Sequence, residues 1–289
     1  MSAIFSFFAS GFGYVLNFLY NVVNNYGLAI ILFTLVIKLI MLPISIRQQK
    51  TMKKSAKIQE KAKQIQFKYK NDQEKMNKEM MNLYKDEKMS PFSGCITTIV
   101  QFILLLSIFY VVRSPLTYMK KVDKSLIDNY VTNMKESNIT VSNYPEIDVI
   151  REKGKEDSNV YINTDFLGLD LSQVPKQNLS DFRVWIIPGL YIISSFISIR
   201  LTTKMQDKKK NKEEKAIEVK KSNEKDEKTE EADTVMQTNK VMSWMMPILS
   251  ISIAIIAPLG LALYWLINNI LMIVERLVLD KLIKTEEEE

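Results

Sequence analysis

Apolar and charged positions are segregated along this chain into alternating blocks. Five blocks are almost free of charge and long enough to cross a hydrocarbon core, which takes about 20 apolar residues in a helix. A typical soluble domain spreads its charges along amphipathic elements instead. The pattern therefore predicts an all-α membrane protein with five transmembrane helices. They are placed at residues 27–46, 91–112 and 184–201 and, as a pair joined by the short link APLG, at 241–280.

The blocks between the spans differ in basic density, which predicts their side of the membrane. Residues 47–90 carry 13 Lys/Arg and 6 Asp/Glu, and residues 202–240 carry 11 and 10, whereas the much longer stretch 113–183 carries 10 and 11. Lys and Arg close to the spans accumulate on the cytoplasmic side. We therefore expect the first two segments and the acidic tail 281–289 in the cytoplasm. The N-terminus and 113–183 are expected outside. The almost purely charged 202–240 predicts a solvated helix or a disordered loop.

Residues 47–90 have the periodicity of two amphipathic helices separated by the dipeptide ND at 71–72. This arrangement predicts a cytoplasmic helical hairpin. Thioethers repack readily, so Met76, Met80 and Met81 are candidate contacts for incoming apolar segments. Packing of the two hairpin helices on each other is the alternative. The two apolar stripes consist of Ile58, Ala62, Ile65 and Tyr69, and of Met76, Met80 and Leu83.

Residues 1–26 carry no charge and therefore lack the basic start of a secretory signal peptide. Asn17, Asn21 and Asn24 recur at i, i+4 and i+7. This spacing predicts an amphipathic helix lying in the outer interface of the bilayer, with its asparagines opposite an apolar face that includes Phe18. A sixth span is the alternative, because the stretch is long enough to cross.

Lys38 is the only charged residue between positions 1 and 46, and it stands in the apolar run LFTLVIKLIMLP. A lysine at this depth costs about 2.5–3.5 kcal/mol on insertion scales unless it faces water or a partner. Its stem is too short to carry the ammonium up to the cytoplasmic interface. No acidic residue is expected deep enough in the membrane to pair with it, and Glu275 is the nearest candidate.

Four of the five spans carry a polar stripe. Interhelical hydrogen bonding would explain any one hydroxyl or amide. The whole set, together with the lysine, predicts a hydrated groove that is positive at its base and opens towards the cytoplasm. The candidate groove residues are Thr34, Lys38, Thr97, Gln101, Ser195, Ser198, Tyr264, Trp265, Asn268 and Asn269; Tyr191 and Ser194 share the face of the two serines.

The residue types that usually carry chemistry are scarce. The chain has one cysteine, Cys95, and no histidine. We therefore expect no internal disulfide, no Cys/His metal site and no histidine acting as a general base. Neither a cofactor nor a metal nor an enzymatic activity is expected.

The ordered series of segments resembles the YidC family of membrane protein insertases, whose superfamily includes the mitochondrial and chloroplast insertases. The segments cover roughly residues 25–112 and 165–280. They are NYGLAIILFTLVIKLIMLPISIRQQKTMKK, MNLYKDEKMSPFSGCITTIVQFILLLSIFYVVR, FLGLDLS and MSWMMPILSISIAIIAPLGLALYWLINNILMIVE. No single motif is decisive, whereas the order of the series is specific. Residues 117–163 match no part of the family pattern and are interpreted as an insertion.

The resemblance implies five core helices around a hydrophilic groove that is open to cytoplasm and lipid and closed on the outside. Lys38 takes the place of a basic residue, normally arginine, that attracts acidic residues of an incoming segment. It keeps the charge but lacks the planar fork of arginine. Gln101 and Asn269 match the family's glutamine and asparagine. The hairpin matches the mobile cytoplasmic hairpin to which substrate reception is ascribed.

The expected function is insertion of hydrophobic segments from the cytoplasm into the bacterial plasma membrane, with the N-terminus outside and the C-terminus inside. Expected partners are the lipid bilayer and nascent membrane proteins with short translocated tails. The ribosome and the translocon are further candidates, and no direct binding of nucleic acid is expected. A small-anion transporter or a lipid scramblase with the same polar groove is the alternative.

Overall fold

The computed structural model describes residues 3–70, 72–87, 93–201 and 254–288, and most of these residues are helical. The predicted loop 202–240 and most of the predicted fourth span lie outside the described residues. In the described ranges the helices are α1 Ala3–Val23, α2 Tyr26–Lys68, α3 Gln73–Asp86, α4 Ser93–Arg113, α5 Lys124–Glu136, α6 Pro145–Lys153, α7 at residues 186–201 and α8 Leu259–Glu288. A π-helical turn, Leu116–Lys120, follows α4, and the 3-10 turns Pro175–Gln177 and Phe182–Trp185 precede α7.

Three helical stretches among the described residues are long and apolar enough to cross a membrane. They are Tyr26–Thr51, Phe182–Leu201 and Leu259–Asp280, and α4 contains a shorter apolar stretch, Phe102–Arg113. The three stretches coincide with the first, third and fifth predicted spans. The chain is therefore a largely helical membrane protein, and the total of five spans stays a prediction.

The first predicted span and the first hairpin helix form one continuous helix. α2 has 43 residues and passes through Pro43 without a break. Asn25 caps it by accepting a hydrogen bond from the Leu28 amide at 3.1 Å. The predicted boundary at residue 46 has no counterpart in the backbone. The change there from apolar to charged side chains alters what surrounds the helix, while the i to i−4 hydrogen bonds continue.

The C-terminal part of α2 packs against α3. Asp72 caps α3 by accepting a hydrogen bond from the Lys75 amide at 3.0 Å, directly after the turn at the predicted ND dipeptide. The buried contact between the two helices is built from Ile58, Ala62, Ile65, Met80, Leu83 and Tyr84. Both predicted stripes contribute to it, because side chains three and four residues apart share one side of a helix.

α1 packs against α2, α4 and the π-helical turn. Ala9 and Leu16 are fully buried there. Phe18 and Asn21, on neighbouring turns, are both exposed. The predicted division into an asparagine face and an opposite apolar face stays a prediction, because exposed side chains of either kind could face lipid or water. α1 is not among the three long apolar stretches, and its interfacial position stays a prediction.

Residues 114–183 form a folded segment, here called the cap, whose buried side chains join the core of the helices. It contains the π-helical turn, α5, α6 and a two-stranded antiparallel hairpin, β1 Asp165–Phe166 and β2 Leu169–Asp170. The two turn residues, Leu167 and Gly168, have φ values of 53° and 77°. Such a turn matches the twist of a tight hairpin and explains the glycine in FLGLDLS.

Residues 163–173 of the cap, here called the clip, bind the starting ends of both α2 and α8. The Asn163 carbonyl accepts a hydrogen bond from the Tyr26 amide at 2.9 Å. The Leu171 carbonyl accepts one from the Gly260 amide, also at 2.9 Å. The first amides of a helix have no partner within the helix, so these carbonyls satisfy groups that would otherwise need water. The clip thereby holds α2 and α8 side by side, running in the same direction.

The cap also contains a buried carboxyl group, that of Glu146 on α6. Its two oxygens accept hydrogen bonds from the Thr117 amide at 3.0 Å and the Thr117 hydroxyl at 2.6 Å. Burial raises the pKa of Glu146 above its ordinary value, and the Thr117 hydrogen bonds offset this only in part. The folded protein therefore holds this proton to a higher pH than the unfolded chain does.

Glu146→Gln should remove a pH dependence from the stability of the protein. The proton on the Glu146 carboxyl makes its full contribution to the stability of the wild type at a pH below about 4.5, the ordinary pKa, where the unfolded chain is protonated as well. Stability should then fall as the pH rises towards the higher folded-state pKa, by about 1.4 kcal/mol per unit of difference. Unfolding temperatures in detergent from pH 4 to 7.5, compared between wild type, Glu146→Gln and the exposed control Glu136→Gln, measure this. A wild type that gains stability relative to Glu146→Gln as the pH rises would contradict the assignment.

Candidate functional site

A cavity of about 200 Å³, here called the Lys38 cavity, lies between α2, α4 and α8. Leu104, Leu105 and Ile108 of α4 form an apolar wall. The polar groups come from the other two helices: Thr34, Lys38, Ser45 and Gln48 from α2, and Tyr264 and Asn268 from α8. Four of the ten predicted groove residues, Thr34, Lys38, Tyr264 and Asn268, therefore line one cavity.

The α2 lining follows a single helical stripe. Its residues at 34, 38, 41, 45 and 48 are spaced three or four apart, so they stand above one another on one side of the helix. Sequence reasoning missed Gln48 because it lies beyond the predicted end of the span at residue 46, and it missed Ser45, inside the span, because the polar stripe was followed only from Thr34 to Lys38. The signal was nevertheless present, since both residues continue the spacing of Thr34 and Lys38. The Thr34 hydroxyl donates to the Ile30 carbonyl at 2.7 Å.

Lys38 is paired, contrary to the expectation that no acid lies deep enough to reach it. Its Nζ atom donates to Oε2 of Glu275 on α8 at 3.2 Å. The two side chains are 22% and 15% exposed, respectively. An ion pair lowers the cost of holding a lysine among apolar side chains. The Lys38 cavity therefore carries a cation with an internal counterion rather than an isolated positive charge.

The geometry of the clip explains why this pair was missed. Tyr26 contacts α8 at Gly260, so both helices start at the same level. Lys38 lies 12 residues beyond Tyr26, or about 18 Å, and Glu275 lies 15 residues beyond Gly260, or about 22 Å. The stem of a lysine covers that difference of about 4 Å. Counting inward from the predicted cytoplasmic ends could not give this register.

Three further predicted groove residues lie at the contact between α7 and α8. The Asn269 amide donates to Ser194 Oγ at 2.9 Å and to Ser195 Oγ at 3.4 Å, and all three side chains are buried. Trp265 packs beside Tyr191, with ring centroids 6.2 Å apart. These contacts are interhelical packing and hydrogen bonding, the alternative that the sequence left open for such residues.

The three remaining predicted groove residues, Ser198, Thr97 and Gln101, are not seen among the described side chains that line the Lys38 cavity. Ser198 is partly buried on α7 and does not line the Lys38 cavity. Thr97 and Gln101 belong to α4, and their side chains lie outside the described part of the chain. Their placement in the groove stays a prediction.

The three hairpin methionines have different surroundings. Met80 packs into the contact between α2 and α3. Met81, on the next position of α3, is 61% exposed. Met76 is intermediate. The structure thus assigns Met80 to packing of the hairpin on itself and leaves Met81 as the accessible thioether.

Three membrane-length helical stretches and an ion-paired polar cavity between helices define a helical membrane protein with an internal polar site. The family model described as 60Kd inner membrane protein matches residues 18–287. The chain therefore belongs to the 60Kd inner membrane protein family. This membership and the apolar helices place it in the bacterial plasma membrane.

Several similar proteins carry the name "Membrane protein insertase YidC". They include proteins from Francisella tularensis subsp. novicida strain U112, subsp. tularensis strain SCHU S4 and subsp. holarctica strain LVS. Each is 39% identical to this chain over 106 residues, which is 37% of this chain. The match spans about a fifth of each relative's own length, 19%.

Proposed function

We propose that this protein is a membrane protein insertase that receives hydrophobic segments from the cytoplasm in a hydrated groove and releases them into the bilayer. The Lys38 cavity is the observation that carries the proposal, because it places a cation and several hydrogen-bonding groups between apolar helices. Membership of the 60Kd inner membrane protein family and the relatives named as insertases support it.

In this proposal the cavity is the described part of a groove enclosed by five spans. The two spans in addition to α2, α7 and α8 are α4 and the segment 241–257. The cap lies outside, and the hairpin of α2 and α3, the loop 202–240 and the C-terminal tail lie in the cytoplasm. The distribution of Lys and Arg supports this orientation.

The shape of the cavity supports entry from the hairpin side. Its lining on α2 runs from Thr34 to Gln48, about 21 Å along the helix axis towards α3. At the opposite end the clip joins α2 to α8 by backbone hydrogen bonds. A client would therefore enter from the cytoplasmic end and meet the clip at the outer end.

The proposed mechanism consists of binding the client in the cavity and transferring its apolar segment into lipid, and no covalent bond is made or broken. Polar groups along the cavity lower the desolvation cost of carrying a short polar tail into the membrane. Lys38 adds an attraction for a tail with Asp or Glu. The apolar segment of the client then moves into lipid, and burial of its surface, at about 25 cal/mol per Å², drives that step.

Met81 and neighbouring side chains of α3 are proposed to meet the client first. Met81 is exposed, and a flexible thioether can fit apolar segments of different shape. Ribosome and translocon contacts are proposed for the same cytoplasmic face, where the basic residues of 47–90 lie.

Reconstitution into lipid vesicles tests the proposal against its two alternatives. A purified single-span client with a short tail should become protected from protease in vesicles with this protein and stay accessible in empty vesicles. Flux of a small anion without client insertion would indicate a transporter. Lipid flipping alone would indicate a scramblase. Either result without insertion would overturn the insertase proposal.

A further inference from the structure

The ion pair at the Lys38 cavity is asymmetric in its access to the cavity. Lys38 lines the cavity, whereas Glu275 reaches the ammonium from α8 without being part of the lining. A client tail in the cavity would therefore meet the cation first. Glu275 would lie behind Lys38, as the anion with which the ammonium is already paired.

The pair is a single contact between two side chains that are both partly exposed. Its N–O distance of 3.2 Å exceeds the roughly 2.7–2.9 Å of a strong charge-assisted hydrogen bond. A lysine ammonium has three donors, and Glu275 accepts from it through one oxygen. Both side chains keep some exposure, so water or another carboxylate can approach.

We propose that Glu275 acts as an internal competitor that sets how acidic a translocated tail must be before Lys38 binds it. This inference rests on the proposed insertase function and refines its substrate class. A tail with one carboxylate meets an equal rival in Glu275. A tail with two can hold one at Lys38 while the other raises the local concentration of carboxylate, so it displaces Glu275 more often. Glu275 is thus a specificity-determining residue that acts through Lys38.

Glu275→Gln tests this in vesicles with three clients that differ only in carrying zero, one or two Asp residues in the tail. In wild type the two-Asp client should insert better than the one-Asp client. In Glu275→Gln the one-Asp client should gain roughly two- to fivefold and approach the two-Asp client. The ratio of one-Asp to two-Asp client insertion, compared between wild type and Glu275→Gln, measures the competition directly. Insertion of the neutral client corrects for the amount of active protein. Glu136→Gln, which removes an exposed carboxylate in the cap, is the matched charge control.

Glu275→Asp keeps the charge but shortens the reach, so its gain should lie between those of wild type and Glu275→Gln. Unchanged one-Asp insertion in both variants would overturn the inference. A parallel loss for all three clients would do so as well, because it would assign the pair to holding α2 and α8 together. A wild-type protein that inserts none of the clients would instead count against the proposed insertase function itself.

Discussion

Insertion of clients with acidic tails should fall on the order of tenfold when the charges of Lys38 and of its partner Glu275 are removed together. The variant that does this is Lys38→Met combined with Glu275→Gln. A tenfold loss corresponds to an attraction of about 1.4 kcal/mol. Clients with neutral tails should insert nearly as well as with wild type, since the cavity keeps its other polar groups. Protease protection of paired acidic and neutral clients measures the difference.

The double variant is needed because of the ion pair. Lys38→Met alone would leave the Glu275 carboxylate partly buried without its cation, and this is destabilising. It would also leave the negative charge of Glu275 unneutralised beside the cavity, where it would repel an acidic tail. Lys38→Arg should keep insertion of both clients, because the charge is retained. Equal losses for acidic and neutral clients in the double variant would show that Lys38 does not act by attracting carboxylates.

A second large effect is expected at the hairpin, where two adjacent methionines have opposite surroundings. Met80→Asp would place a carboxylate in the partly buried contact between α2 and α3 and should destabilise the hairpin, at a cost of about 1–3 kcal/mol. Met81→Asp changes an exposed side chain and should leave the hairpin folded. Protease resistance of the hairpin in the two variants measures this contrast.

The two variants Met80→Asp and Met81→Asp also distinguish packing within the hairpin from contact with clients. If Met81 meets clients, Met81→Asp should weaken crosslinking of clients to the hairpin while the hairpin resists protease like wild type. Equal protease sensitivity of both variants would show that the described packing of Met80 is not what holds the hairpin. An unchanged client contact in Met81→Asp would remove Met81 from the receiving surface.

Features that depend on local periodicity could be predicted from the sequence. Apolar length identified three spans, and the spacing of Ile58, Ala62 and Leu83 identified the hairpin contact. The stripe through Thr34 and Lys38 likewise pointed to the cavity. Such patterns survive folding because each helix has a fixed period, whatever its neighbours are.

Features that depend on how distant helices align could not be predicted. The pair of Lys38 and Glu275 joins residues 237 positions apart, and its register is set by the clip. The clip holds the two helices through backbone carbonyl groups, and every residue has one. No pattern of side chains in the sequence therefore predicts it. Similarly, the sequence left both the groove and an interhelical hydrogen bond open for Asn269, and only the packing of α8 on α7 shows that its amide donates to Ser194.

The cap illustrates the same limit in a segment without any recognisable motif. Residues 117–163 carry few long apolar runs, yet Ile127, Met134 and Val149 are buried in a common core with the helices. The partners of these side chains come from elements far away in sequence. Their burial follows from tertiary packing and not from a local period.

Photocrosslinking from inside and outside the cavity tests the central claim most directly. A photoreactive residue at position 45 or 268 would line the Lys38 cavity, whereas one at position 40, on another side of α2, replaces an isoleucine that is 59% exposed. With a client arrested during insertion, positions 45 and 268 should crosslink to the client, and position 40 should crosslink mainly to lipid. Client crosslinks from position 40 that equal or exceed those from 45 and 268 would contradict the account.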